Sequence, residues 1–403
     1  MPAFEGVVSK LKPKQRVWSL SFSQLCLDFC TELSYRRSAG LINAVLHRHA
    51  GDLMKSRTLA DFAERIGGKM QGYLEAKSEA ALKEHNFEPG APRTEEDSMN
   101  SDDAPELEIT ADQKAWEDEI AKKAEEINAQ REPREQINDL GRFPRIESPN
   151  EGRCYISIDD IGVKHQKETR KDGGSKSTKN VENTVVHVQS GGNSYYLTAA
   201  DMESAFRMLV AFLLSNGLLG CSLVFLADGA RNIKNHIEKY FTSRPYTLIL
   251  DWYHLRKKCK ELISSSLKGT KEQKKGDTQN LLRMLWVGNV KEATSYLNGL
   301  DGSRIKSAHW LGELTGYLER KEPQIACYAL RHGLGLRISS NRVEKTNDLL
   351  VAQRQKHNGM SWSYEGSSSL ACIKMVILNN EIEHWLRTHT LPFSMPAQDQ
   401  EAA

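Results

Sequence analysis

The chain has no apolar run approaching the length of a membrane span, and its N-terminus lacks the charged-then-apolar layout of a secretory leader. It has no CxxC pair. Its seven cysteines (Cys26, Cys30, Cys154, Cys221, Cys259, Cys327 and Cys372) are odd in number and carry no paired spacing. A disulfide framework and a structural zinc site are therefore not expected, and the chain is placed in a reducing cytosol. Cys26 and Cys30, four apart, read as two small side chains on the buried face of a helix. There is no internal repeat and no excess charge, with 55 Lys and Arg against 53 Asp and Glu. That balance conceals an asymmetry. The stretch from about Glu84 to Glu126 is acidic, whereas Lys164 to Lys179 and Arg256 to Lys275 are basic. Basic segments on a chain of neutral sum suggest a polyanion met by particular surfaces, although a single charge run is as often only a solvated face.

What the chain does have is three carboxylates in informative places. Tyr155-Ile-Ser-Ile-Asp159 and Leu223-Val-Phe-Leu-Ala-Asp228 are apolar runs ending in an acid, as buried strands delivering a carboxylate to a sheet edge do. Glu344 opens a later helical segment. Between them the pattern predicts strands at Cys154–Val163, Asn183–Gln189 and Ser194–Leu197, the last two joined as a hairpin through Ser190-Gly-Gly-Asn193. A helix capped by Thr198 is expected to run to about Ser215. A strand at Ser222–Ala227, a helix at Arg231–Tyr240, a strand at Tyr246–Leu250 and helix from Trp252 onward follow. The order β-β-β-α-β-α-β, then helices, then the helix of Glu344, predicts an α/β fold: an RNase H-like catalytic core with an all-α insertion before its last catalytic helix.

With 403 residues there is room for two or three domains. Residues 1–83 are expected to form an α-helical DNA-binding region. Its helices at Leu33–Leu46 and Ser56–Ile66, with Arg36, Arg37, Arg48 and Arg57 nearby, suit a helix-turn-helix or, equally, a plain helical bundle. Residues 84–112 read as an acidic disordered linker and 113–150 as a charged helix, interrupted at Pro133, with a connector. The core is expected over 151–254 and 339–390, the insertion over 255–338 and a disordered tail over 391–403.

Three stretches carry a resemblance. Leu226-Ala-Asp228-Gly-Ala-Arg231, Leu250-Asp251-Trp-Tyr-His254-Leu-Arg-Lys-Lys258, and Gly333 to Lys345 continuing through Arg354-Gln-Lys-His-Asn-Gly-Met-Ser-Trp362 resemble, in that order, the second acid, the Asp-x-x-His signature and the third acid of DDE-type transposases. The group is the Mutator-like one of bacterial insertion sequences, and the likeness covers about Cys154 to Trp385. It implies an enzyme that binds terminal inverted repeats, frees a 3′-hydroxyl by hydrolysis and joins it to target DNA. It implies a catalytic and metal-binding triad of Asp159, Asp228 and Glu344, and double-stranded DNA as partner. At least a homodimer would form in the synaptic complex, at a nucleoid-associated cytoplasmic location with no membrane.

In-line displacement at phosphorus calls for two divalent ions about 3.5–4 Å apart. Magnesium, which manganese can replace, favours oxygen ligands, so a few carboxylates suffice. Asp159 and Asp160 are adjacent and point to opposite faces of a strand, and alternation alone does not choose between them; the family pattern favours Asp159. Asp228-Gly229 also reads as an ordinary turn, and Glu344 as an acid favoured near a helix N-terminus. Asp251 suits a helix N-cap with His254 beside it; the signature gives both an accessory role near the active site. Lys164, Lys167, Arg170 and Lys171 in a loop, and Arg342, Lys345, Arg354 and Lys356 around the third acid, are the expected DNA contacts. Trp362 suits either a buried aromatic or a base-stacking one. Two other functions fit the same motifs: a nuclease or resolvase that cuts without joining, and a transposase-derived DNA-binding protein that no longer cuts.

Overall fold

The structure, a computed structural model, describes residues 18–47, 53–90, 111–149, 152–166, 180–242, 244–356 and 360–396. Arg48, most of the acidic linker, the basic tip with Lys167, Arg170 and Lys171, and residues 397–403 of the tail lie outside them. The described residues divide into two compact units. The first draws on Met1–Leu74, Val163–Val181 and Gln353–Pro392, the second on Glu75–Gly162, Glu182–Ala352 and Phe393–Ala403. Among the described residues no helix is long and apolar enough to cross a membrane. All seven cysteines are free thiols.

The second unit is built on a mixed five-stranded sheet, so the fold is α/β. Its strands are β1 (Arg153–Lys164), β2 (Asn180–Ser190), β3 (Asn193–Ala199), β4 (Ser222–Ala227) and β5 (Tyr246–Leu250), in the order β3-β2-β1-β4-β5. β2 and β3 are antiparallel, while β1, β4 and β5 run parallel. The hairpin turns on Gly191 and Gly192 at φ +55° and +90°, left-handed values that match the twist of the flanking strands. β4 is buried at every position but its first, which is why it reads as an unbroken apolar run rather than an alternation.

A helix over Met202–Ser215 follows β3 and covers one face, with the Tyr195 and Phe212 rings stacked 4.4 Å apart. Its cap is not Thr198. That residue stays in β3 opposite Val185, and Asp201 caps instead, its two carboxylate oxygens taking the Ser204 N–H and hydroxyl at 2.8 Å each. A two-oxygen acceptor outcompetes a hydroxyl whose backbone is already committed to the ladder.

Between β5 and the Glu344 helix the chain is helical: Trp252–Ser266, Lys271–Trp286, Val290–Asn298, Ala308–Lys321 and Tyr328–Gly333. Val224, Leu226, Ile249 and Leu250 of the sheet share one buried core with Leu255, Leu262, Leu281, Leu285, Leu314 and Leu318 of these helices. The Tyr328 hydroxyl donates to the Leu250 carbonyl at 2.8 Å, fixing the end of β5. A fully buried Arg331 forks onto Glu147 at 2.9 and 2.5 Å, and Tyr155 of β1 donates to the same carboxylate at 2.8 Å. The charge-assisted pair thus joins the lead-in to β1 with the segment that enters the Glu344 helix.

The first unit is helical. Ser19 caps a helix over Leu20–Glu32, burying Cys26 and Cys30, and Ser34 caps one over Tyr35–Val45. The third helix does not stop at Ile66 but runs from Ser56 to Glu84. Gly67 and Gly68 are poor helix formers, yet they do not end it. Here Gly67 serves close approach: a Cβ would sit 2.4 Å from the Ser369 carbonyl oxygen of the helix Tyr364–Leu378. Gly67→Ala is expected to destabilise the protein by about 1–3 kcal/mol in urea unfolding, whereas Gly68→Ala, with open space at that position, should be neutral or stabilising.

Candidate active site

The register of β1 on β4 sets Arg153 opposite Ser222 and Ser157 opposite Leu226. Continued by two residues, it places Asp159 opposite Asp228, just beyond the last residue of β4. Two half-buried carboxylates therefore share one end of the sheet. Burial first, and the charge of Asp228 next, push the Asp159 carboxyl up to about 6. Its Oδ1 accepts the Asp160 N–H at 2.9 Å and its Oδ2 accepts Asn347 Nδ2 at 2.5 Å. Asp160 faces the other way, accepting the Thr184 hydroxyl of β2 at 2.5 Å. Burial raises its carboxyl also, against the Thr184 bond.

Asp228 is both a turn residue and a member of the pair. Its Oδ1 accepts the Ala230 N–H at 2.7 Å. Gly229 holds φ +87°, and a Cβ there would meet Leu250 Cδ1 at 2.7 Å. The Gly229 carbonyl takes Lys321 Nζ at 2.7 Å. Burial and the neighbouring Lys234 lower the Lys321 ammonium, while Asp228 pulls it back up.

Asp251 is the N-cap of the Trp252–Ser266 helix and is almost wholly buried, at 1% exposure. One of its oxygens accepts the His254 N–H at 2.8 Å and faces His254 Nδ1 at 3.1 Å. The other accepts both the N–H and the hydroxyl of Ser340. Burial alone would raise this carboxyl, but the bonds from His254 and Ser340 outweigh it and hold it below the ordinary range. The same bond raises His254, helped by Asp251, Asp228 and Glu344 as charges and opposed by burial. Ser340 is the residue before the helix Asn341–Asn347, which carries Glu344. Asp251 thus pins the start of that helix and orients His254, whose Nε2 lies 3.7 Å from Glu344 Oε1. Beyond Asn347 the helix opens into a π turn over Asp348–Ala352.

Among the described residues, no group of three His, Cys, Asp or Glu side chains is disposed to hold a metal ion. The carboxylates are arranged as the Asp159–Asp228 pair, with a half-exposed Glu344 turned toward His254. Asn347 adds an oxygen to this neighbourhood. Its Oδ1 is buried and has no hydrogen-bond partner among the described residues, while its Nδ2 sits on Asp159.

Arg342 and Lys345 are exposed on the Glu344 helix, and Lys164 and Lys356 are exposed elsewhere. Arg337 lies 5.1 Å above the Tyr155 ring, and burial, then Arg342, lowers it to about 10. Arg354 is not a surface cation. It is 3% exposed, donates Nε to the Cys30 carbonyl at 2.8 Å, and lies over the Tyr35 and Trp362 rings at 5.1 and 4.9 Å. Its helical neighbours marked it as a DNA contact, but the planar guanidinium is used inside the first unit. Trp362 is the buried aromatic of that stack, with Nε1 donating to the Gln355 carbonyl at 3.0 Å. Arg354→Ala is expected to cost about 2–4 kcal/mol in chemical denaturation.

Three residues at this site went unnoticed in the sequence. Asn347 could have been found, since it lies three residues beyond Glu344 on the same helical face. Ser340 carried a weaker signal as the residue before the helix. Lys321 carried none, because its contact with Gly229 spans most of the helical region. No protein-family model matches the chain, and no curated protein matches it.

Proposed function

We propose that this chain is a DNA transposase with an RNase H-like core, acting on the ends of a mobile element by metal-dependent phosphoryl transfer. The observation that carries this reading is the register-matched Asp159–Asp228 pair, tied to the Glu344 helix through Asn347. The sheet order β3-β2-β1-β4-β5 supports the fold assignment, as does the helical region lying between β5 and the helix of the third acid.

The donor set fits magnesium or manganese. It is made of carboxylates and an amide oxygen, with no thiolate and a histidine already engaged by Asp251. Asp159 and Asp228 would hold the ions, and Glu344 would complete the set from its helix. Two ions held there would supply activation of the attacking oxygen and stabilisation of the leaving one. The chain's own part is to fix the acids. Asp251 sets where the third-acid helix begins, His254 faces Glu344, and Asn347 ties that helix to Asp159. Arg342 and Lys345 flank Glu344 and would take backbone phosphates, with Lys164 and Lys356 as further phosphate contacts. Double-stranded DNA, as inverted repeats and as target, is the partner. Two ends held together require at least a dimer, and the work belongs at the nucleoid in the cytoplasm.

One observation favours a second reading, a transposase-derived protein that binds DNA without cutting: among the described residues no three acids converge, Glu344 facing His254 instead. Labelled DNA bearing the element's own ends, incubated with wild type and Asp228→Ala with and without Mg²⁺, separates the two. Cleaved and joined products that need both metal and Asp228 establish the transposase. Binding to the ends with no metal-dependent product establishes the second reading.

A further inference from the structure

The helix Ala308–Lys321 ends against the turn that carries the second acid. A lysine in a last helical turn ordinarily answers the free carbonyls of its own helix. Lys321 does otherwise: its Nζ donates to the Gly229 carbonyl at 2.7 Å, 92 residues back in the chain. Its stem lies against that glycine, since a Cβ there would be 3.4 Å from Lys321 Cε and 3.7 Å from Nζ. The ammonium is thereby fixed one residue from Asp228. It is half-buried, uses one of its N–H groups on Gly229, and has no carboxylate partner among the described residues. Asp228 does not pair with it; its Oδ1 is held by the Ala230 N–H. Burial first, then Lys234, disfavour the charge on Lys321, Asp228 favours it, and Arg320 again disfavours it. Tyr317 lies four residues earlier on the same helical face, and burial, then the charges of Cys259 and Asp228, raise its hydroxyl. A half-buried cation held on a backbone carbonyl among like charges, with no carboxylate of its own, lacks a counter-ion.

We infer that Lys321 is a further catalytic residue, whose ammonium takes a non-bridging oxygen of the phosphodiester held at the Asp159–Asp228 pair. The inference rests on the transposase reading, which supplies that phosphodiester. Phosphoryl transfer spreads charge over the non-bridging oxygens, and a donor already in place stabilises it without reorganisation at the moment of reaction. Lys321 neither gives nor takes a proton in this role. Its charge has a second consequence. Without DNA it repels a divalent ion approaching the acid pair, so the site loads metal less readily until a phosphate neutralises the lysine. The helical region between β5 and the Glu344 helix thereby ties metal loading to the presence of the substrate.

The test uses the full chain and two readouts. In the first, Mn²⁺ is titrated without DNA and the free ion is followed by electron paramagnetic resonance. Lys321→Gln, which keeps a donor for the Gly229 carbonyl but no charge, should bind Mn²⁺ at least about threefold more tightly than wild type. Lys321→Arg should stay within about twofold of wild type, as should Arg320→Met, which removes the neighbouring exposed charge of the same helix. In the second, single-turnover cleavage of the element's own ends is measured in Mg²⁺. Lys321→Gln should cut about a hundredfold more slowly at saturating DNA, with its affinity for the ends in EDTA changed by less than about threefold. Lys321→Arg should recover most of that rate. A lysine that merely props the turn would, when replaced, weaken Mn²⁺ binding instead of tightening it. Should Lys321→Gln prove misfolded by circular dichroism, Lys321→Met, which keeps the stem packed on Gly229, takes its place in both readouts. Unchanged or weaker Mn²⁺ binding by the folded neutral variant, or cutting at the wild-type rate, overturns the role of Lys321 and leaves the transposase reading intact. Wild type that cuts no end overturns the transposase reading and this role with it.

Discussion

Replacing Asp159 by Asn is expected to abolish metal-dependent cleavage and, with metal removed, to make the protein more stable. Both effects have one source. Asp159 and Asp228 face each other at the end of two parallel strands, half-buried, with an amide donor on Asp159 but, among the described residues, no cation bonded to either. On the proposed function, losing one of the two acids that would hold the ions should cost several kcal/mol of transition-state stabilisation, on the order of a thousandfold or more in rate. The stability effect has a defined pH window. The Asp159 carboxyl is pushed up to about 6 in the folded chain against an ordinary 3.8. Between those values the folded chain binds more protons than the unfolded one, so stability falls as pH rises through that window and is flat above it.

Asparagine carries no charge and removes that loss. In EDTA at pH 7.5 Asp159→Asn should melt about 2–4 °C above wild type, and the difference should vanish near pH 4. Magnesium should then raise the wild-type Tm and leave the variant's unchanged. Scanning calorimetry with and without the metal reads all three outcomes. Equal melting of both proteins in EDTA would mean that the pair is not strained, and retained cleavage would move the first acid to Asp160.

The parts of this site that were legible in the sequence are those whose signal is local. β4 and β5 are short apolar runs closed by turn chemistry, and their ends agree with the pattern at Ser222, Ala227, Tyr246 and Leu250. Asp251 reads as an N-cap because an Asp before a helical run is one of the few side chains that can satisfy the first N–H groups. Failures arose where a distant partner decides. The helix from Ser56 runs well past Ile66, with Gly67 packed against Ser369 in the folded chain. Arg354 sits among polar neighbours in sequence, yet its guanidinium lies against the Tyr35 and Trp362 rings. The choice between Asp159 and Asp160 could not come from alternation, since Asp159 lies next to the buried Ile158 and Asp160 next to the buried Ile161. It is their partners that separate them, Asn347 and Asp228 around the first, and Thr184 bonded to the second. The role of Asp251 beyond capping was hidden for the same reason, because Ser340 lies far along the chain.

That role leads to the second large effect, at a residue that touches neither DNA nor metal. Asp251→Asn keeps the shape of the side chain but replaces one acceptor oxygen with a donor. The native carboxylate accepts from His254 on one oxygen and from Ser340, twice, on the other. An amide cannot serve both: turned one way its NH₂ opposes the Ser340 N–H, turned the other it opposes the His254 N–H. Two buried donors facing each other should cost about 2–3 kcal/mol of folding stability, and the start of the Glu344 helix should loosen.

His254 should titrate at lower pH in the variant, because the bond from Asp251 is the largest influence raising it. Cleavage should fall by at least about tenfold even under conditions where the variant is fully folded, as Glu344 loses its support. Ser340→Ala is the control that separates these consequences. It removes only the hydroxyl at 2.9 Å, keeps the backbone bond, and should cost about 1 kcal/mol without moving the histidine. NMR titration of His254 in the three proteins, alongside single-turnover cleavage, distinguishes a positioning residue from an ordinary cap. If Asp251→Asn lost stability while His254 titrated as in wild type and folded protein cut at the wild-type rate, Asp251 would be a cap and nothing more.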